Sequence, residues 1–403
     1  MTFTASILAL AFAGLVLLAI PYVRSLDWPA RIGIAFAGGM LITAVLMFAM
    51  SLLHIRWSPA LLLIAMAFGV RGALCSFSGP KSANCRPHPT LIVIAITAWA
   101  ALTGRETCSD LLFFWGPKGI HFAIAGGIDL DFLRYPFYFL MHPDYPPLLP
   151  LVYAWGATFA GKSFSWFGAL ALTPLTLLAA ALAFRGISRS SRFAFLFASV
   201  LSFGFAVADI AGAGEPPLLL FESIAVAALT FAPEDRGAIL LASIMAAGAV
   251  FTKVEGMPFA IVLVVAYALT RRRILPALAM AILPVALLGA WILFANHYNM
   301  LDAYANRNAI HLELLPRVLH DVAHEARYNA LFAPWIAALA PMFFGRNFRR
   351  AAFPLLVTAG SLAATIFIYL HSGDPGFWIA SSAQRVLLTP LMTLSVATAA
   401  ASE

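Results

Sequence analysis

The sequence predicts an all-α, polytopic transmembrane helix bundle of about 11–13 spans, and three observations predict it. Of 403 residues, 62% are hydrophobic and 11% charged, with mean hydropathy +0.90; a soluble domain carries roughly 25% charge. Apolar runs approach the ~20-residue length of a bilayer span again and again. The 27 Gly and 25 Pro fall among these runs without the polar/apolar alternation of a lipid-facing barrel. A water-soluble enzyme, a disordered chain and a coiled coil are excluded. The net charge of +7 comes from short cationic clusters between apolar runs, so membrane topology explains it better than nucleic acid does.

The first run, near 4–23, has no basic residues before it and reads as a span rather than a signal peptide. Further apolar segments lie near 32–53, 58–70, 89–103, 163–184, 193–210, 217–232, 237–252, 257–270, 274–295, 329–344, 352–370 and 384–401. Four connecting loops each carry three cations and no acid: Arg71, Lys81 and Arg86; Arg185, Arg189 and Arg192; Arg271, Arg272 and Arg273; Arg346, Arg349 and Arg350. The positive-inside rule places them in the cytosol. The loops 104–147 and 296–328 mix acids with cations and fall outside. Residues 147–161 are apolar enough to span, but a span there would invert every later loop. They read as an embedded helix of the external loop, with Lys162 near the outer surface. Cys75, Cys85 and Cys108 form no CxxC or Cys/His metal spacing and read as ordinary thiols.

The 104–147 loop is long and rich in Phe, Trp and Tyr, which suits amphipathic helices on the headgroup layer. Glu106 and Asp110 are four apart, and a helix would put both on one face. Asp110 precedes Leu111-Leu112-Phe113-Phe114-Trp115. A carboxylate at such a boundary is a general-base candidate or a capping acid. His142-Pro143-Asp144-Tyr145-Pro146-Pro147 is a rigid turn that would aim His142, Asp144 and Tyr145 at a cavity, or lead into the next helix.

Asp209, Glu215 and Glu222 sit at or inside apolar segments, where ionisable groups face polar cavities. Glu215, before Pro216-Pro217, opens a helix at the outer end. The alternative to chemistry is a carboxylate favoured by the helix dipole. Asp209 and Glu222 are expected to hydrogen-bond within the bundle. Lys253, in Thr252-Lys253-Val254-Glu255-Gly256, would hold a lipid phosphate or pair with Glu255. The 296–328 loop offers Arg307, Arg317 and Arg327 for phosphate, and His320 and His324 at metal-binding spacing without the zincin motif. No Walker A loop, dinucleotide fingerprint or nucleophile elbow is present.

Four elements give the chain a likeness to a known family. They are Ser109-Asp110-Leu111 followed by Phe114-Trp115-Gly116-Pro117-Lys118; His142 to Pro150; Glu215 with Pro216; and Thr252 to Gly256. Over roughly 89–330 the chain resembles the polytopic GT-C glycosyltransferases, particularly bacterial members similar to protein O-mannosyltransferases and aminoarabinose transferases. The resemblance implies N-terminal extra helices over 1–88, a catalytic module over 89–330 and C-terminal helices over 331–403. It implies sugar transfer from a polyprenyl-phosphate donor to a glycan, lipid or protein acceptor at the periplasmic face of a bacterial inner membrane. Asp110 would activate the acceptor hydroxyl and Glu215 assist it. Lys118, Lys253 and Arg307 would hold the donor phosphate; Glu106, His142, Asp144, Tyr145 and Glu255 would position substrate. No cofactor follows from these residues, and a divalent metal is left open. Membrane lipid is the expected surrounding, and nucleic acid is not an expected partner. The chain departs from the family's pattern in lacking a second acid beside Asp110 and a large C-terminal soluble domain. A transporter or flippase using Asp209, Glu222 and Lys253, and an oligosaccharide polymerase or ligase centred on 296–328, are the competing readings.

Overall fold

The computed structural model describes residues 2–60, 62–64, 67, 90–103, 109–135, 142–208, 210–300, 310–328, 332–339, 347–371 and 374–402. Among them every regular element is helical, and no strand occurs. The elements that position the site are α1 (Phe3–Gly14), α2 (Pro21–Ser25), α3 (Trp28–Leu52), α4 (Thr90–Thr103), α5 (Gly116–Ala125), α6 (Leu130–Arg134), α7 (Leu148–Phe159), α8 (Trp166–Ser188), α9 (Ser191–Ala208), α10 (Glu215–Phe231), α11 (Arg236–Thr252), α12 (Gly256–Arg271) and α13 (Ile274–His297). They are followed by α14 (Leu315–Tyr328), α15 (Phe332–Leu339), α16 (Phe348–Leu370), α17 (Pro375–Val386) and α18 (Leu388–Ser402).

Among the described residues, five helical stretches are long and apolar enough to cross a membrane: α3, α8, α13, α16 and the nearly continuous α17–α18. Shorter apolar helices, including α11 and α12, pack among them. The chain is therefore an integral, multi-pass membrane protein. The long helices differ in burial. α3 and α8 bury 72% and 78% of their apolar windows within the bundle, and α13 buries 28%. Ile274, Leu275, Leu278, Ile282, Val285 and Leu293 of α13 are all exposed, a patch that soluble proteins rarely show and that lipid would cover.

Small residues allow the tightest crossings. A Cβ on Gly39 of α3 would overlap the Leu10 carbonyl of α1, and one on Gly14 would overlap the Ala35 carbonyl. Backbones meet there without intervening side chains, as in membrane helix pairs generally.

The two ends of the bundle differ in charge. At one end the α1–α3 turn meets the C-terminus of α8, where Asp27 lies against Gly186, and the start of α11, where Tyr22 lies against Gly237. Arg273 pairs with Glu234, and the Tyr267 hydroxyl donates to the Pro233 carbonyl at 2.8 Å. The Asn347 amide donates to Ala401, whose helix end packs near Phe231. Three of the four arginine loops thus share one end; the fourth, with Arg71, Lys81 and Arg86, lies outside the described residues. The opposite end carries Asp110, Glu215, Lys253 and the His142 turn.

α7 covers most of the 147–161 segment. Its 12 residues extend about 18 Å at 1.5 Å per residue, too short to cross. Its contacts stay at the end bearing the acids. Pro150 lies beside Gly119, the Tyr153 hydroxyl donates to the Gly212 carbonyl at 2.6 Å, and Gly156 packs on Phe3. Lys162, just beyond, donates to the Ile124 carbonyl at 2.9 Å. α7 is a short, buried helix packed at the acid-bearing end of the bundle.

Candidate functional site

Two turns set the site. The first carries Asp110. Ser109 and Asp110 are helical, and Leu111–Trp115 then form a π-turn into α5. Such wide turns often mark functional positions. Leu111 is fully buried and lies against Gly212, at φ +78°. A side chain at that φ would be strained and would collide with Leu111.

Gly212 belongs to the second turn, which precedes α10. Its amide donates to Thr173 Oγ1 at 2.9 Å and its carbonyl accepts from Tyr153. Both backbone groups of this buried turn are thereby satisfied. Gly214 follows, with the Trp115 ring and the Lys253 stem beside it, and Glu215 opens α10 with Pro216 and Pro217 behind it. Proline suits the first helical turn, where no intrahelical amide bond is needed. Leu111 and Trp115 thus fasten the Asp110 turn onto the start of α10.

Lys253 and Glu255 come from the α11–α12 reversal. Lys253 is extended and ends α11, Val254 points outward, and Glu255 returns inward. Gly256 closes the reversal against the Ala249 carbonyl, where a Cβ would overlap. Arg385 comes from α17, 275 residues from its partner Asp110.

These four segments make one buried ionic cluster. Lys253 Nζ stands 2.7 Å from Glu215 Oε1 and 2.9 Å from Glu255 Oε1. Arg385 Nη1 donates to Asp110 Oδ2 at 2.5 Å and lies 3.7 Å from Glu215 Oε1. The Asp110, Glu215 and Lys253 side chains are 9%, 4% and 6% exposed, and Arg385 is 20% exposed. Burial pushes the Asp110 carboxyl above the ordinary carboxylate range and the charge of Glu215 adds to it; Arg385 and Lys253 pull it only partly back. Glu215 Oε2 and Glu255 Oε2 are buried without a hydrogen-bond partner among the described residues. Such acceptors are costly unless a donor arrives.

A second group adjoins the first through Trp115. Lys118 Nζ donates to the His142 carbonyl at 2.5 Å and sits 5.4 Å from the Trp115 ring centre. Burial pushes the Lys118 ammonium down to about 7, against a smaller opposing pull from Asp144. His142, at φ +49°, stacks on Tyr145 with ring centres 4.5 Å apart. The Tyr145 and Trp115 ring centres are 6.0 Å apart. Trp291 of α13 donates to the Asp144 carbonyl at 2.7 Å. The His142–Pro147 turn is thus clamped from two sides, by Lys118 and by α13.

The structure brings Asp110, Glu215, Lys253 and Glu255 together. Lys118, His142, Asp144 and Tyr145 form the neighbouring clamp, with the Lys118 ammonium directed at the His142 carbonyl. Glu106, Arg307 and Asp209 lie outside the described residues. Glu222, two turns below Glu215, accepts from Thr389 Oγ1 at 2.7 Å, as expected of a hydrogen-bonded buried acid. His320 bonds its neighbour Asp321. Among the described residues, no three His, Cys, Asp or Glu side chains converge as a metal site.

Arg385 is the site residue that the sequence reading missed. Its signal was a lone cation opening the 384–401 apolar run at the end opposite the arginine loops. Compared with known proteins, the chain matches no family model, no curated protein and no solved structure.

Proposed function

We propose that the chain is a membrane glycosyltransferase that moves a sugar from a polyprenyl-phosphate donor to an acceptor hydroxyl at the acid-bearing end of the bundle. The observation that carries this reading is the convergence of Asp110, Glu215, Lys253 and Arg385, from four distant segments, in one buried cluster. With the arginine loops in the cytosol, that end faces the periplasm.

In this reading Asp110 accepts the proton of the acceptor hydroxyl as the acceptor oxygen bonds to the anomeric carbon. The bond from that carbon to the phosphate oxygen breaks, and its electron pair leaves with the polyprenyl phosphate. Arg385 and Lys253 meet the charge that grows on the leaving phosphate. The unpartnered oxygens of Glu215 and Glu255 accept hydroxyls of sugar or acceptor. The raised pKa of Asp110 suits a base better than an ordinary, weakly basic carboxylate would.

The test is sugar transfer by the purified chain from a panel of polyprenyl-phosphate sugars, with Asp110→Asn alongside. Transfer that Asp110→Asn lowers by 10²-fold or more, with the protein still folded, supports the reading. Transfer unchanged by the substitution removes Asp110 as base.

Glu222 favours a second reading. It is fully buried within α10, and Oε1 has no hydrogen-bond partner among the described residues. Acids at such depth serve relays and substrate sites in transporters. Substrate-dependent proton uptake into vesicles, lost in Glu222→Gln and accompanied by no sugar transfer, would favour a transporter.

A further inference from the structure

The guanidinium proposed to meet the leaving phosphate is bonded to the carboxylate proposed as base. Arg385 Nη1 lies 2.5 Å from Asp110 Oδ2 and 3.7 Å from Glu215 Oε1. Resting on the glycosyltransferase reading, we propose that Arg385 is a donor-sensing gate: it holds Asp110 until the donor phosphate takes the guanidinium, and only then is Asp110 free to receive a proton.

Three observations support an exchange of partners. Among the described residues, three acids, Asp110, Glu215 and Glu255, share two cations, Lys253 and Arg385. Lys253 is held between two carboxylates at 2.7 and 2.9 Å, whereas Arg385 bonds Asp110 and stands 3.7 Å from Glu215. Arg385 is also the more exposed cation, at 20% against 6% for Lys253, and so the one an incoming phosphate reaches first. A planar guanidinium matches a phosphate oxygen pair as well as it matches a carboxylate. Its departure leaves Asp110 buried beside Glu215, a like charge, and the carboxylate becomes more basic. The base is therefore switched on only when a sugar donor is in place, whichever substrate binds first. This guards against proton abstraction from water or acceptor in the empty site.

The exchange makes a thermodynamic prediction that needs no turnover. If phosphate and Asp110 compete for Arg385, removing the Asp110 charge helps phosphate bind, and it does so mainly through Arg385. The experiment measures binding of a polyprenyl monophosphate to the full chain in detergent, for wild type, Asp110→Asn, Arg385→Gln and the double variant. Asp110→Asn should bind about tenfold tighter than wild type, and Arg385→Gln about tenfold weaker. In the Arg385→Gln background, Asp110→Asn should change affinity less than about threefold, so the two sites are coupled. Arg385→Lys keeps the charge and should retain part of the coupling, and its thermal unfolding separates loss of the gate from loss of fold.

Equal gains from Asp110→Asn in both backgrounds would overturn the gate, because the effect would be general charge removal. No affinity gain would overturn it too, as would a folded wild type that does not bind the phosphate. The glycosyltransferase reading fails differently, by absence of sugar transfer from every donor while the binding coupling persists. Transfer without the coupling removes the gate alone.

Discussion

Replacing Lys253 by Met tests whether the buried cluster is a single electrostatic unit. Methionine keeps most of the stem volume and removes the ammonium. At 2.7 Å and 2.9 Å from two carboxylates, and with an effective dielectric near 20, each attraction is about 6 kcal/mol before desolvation. The net loss is smaller, because the carboxylates stripped of their partner take up protons rather than stay charged. Breaking a buried pair from one side costs about 3–5 kcal/mol. We expect Lys253→Met to lose about 4 kcal/mol near neutral pH. The double variant Lys253→Met/Glu215→Gln should recover at least about 1.5 kcal/mol, since one of the unpaired charges is gone. The assay is reversible unfolding in mixed micelles followed by fluorescence of the 9 Trp. A loss under about 1 kcal/mol, or a double variant less stable than the single one, would refute the reasoning.

Three further outcomes follow from the same geometry. If Asp110 is the base of a glycosyl transfer, its raised carboxyl must be ionised to act, so transfer should climb with pH through a range above that of ordinary carboxylates; a rate already maximal near pH 4 would contradict this. Lys118 is pushed down to about 7 while the unfolded chain keeps an ordinary lysine, so the unfolded state binds the extra proton between those values and stability rises with pH there. Wild type should therefore gain on Lys118→Met between about pH 7 and pH 9, and a pH-independent difference in unfolding free energy would refute it. Gly39→Ala drives a Cβ into the Leu10 carbonyl and should cost about 1–3 kcal/mol in the same unfolding assay, whereas Gly289→Ala, where a Cβ meets open space, should cost nothing.

Much of this architecture was legible in the sequence because charge is scarce in it. Every acid or cation within an apolar chain stands out, and so Asp110, Glu215, Lys253 and Glu255, which the structure groups together, are conspicuous from type and position alone. The arginine loops were legible for the same reason, and three of them meet at one end. The partnerships were not legible. Lys253 had two readings, a phosphate ligand or a partner of Glu255; the structure shows it paired with both Glu215 and Glu255. Arg385 is joined to Asp110 across 275 residues, and helical periodicity specifies which face of α17 is polar but not which helix that face meets. Lys118 shows the same limit, because its spacing from Asp110 gave no sign that the π-turn directs its ammonium to the His142 carbonyl.

α7 has a consequence for how the chain is inserted. At 12 residues α7 is short for a crossing; a helix that returned to its own side would change no parity, and α8 and everything after it would keep the sense set before residue 147. Eight more apolar residues in α7 would reach the length of a crossing, and each later connection would then be asked to lie on the other side. The arginines at 185–192, 271–273 and 346–350 resist that inversion, since each would have to be carried across the bilayer. On that reading one short helix and three basic loops would check each other during insertion, and the side on which the ionic cluster lies would depend on both.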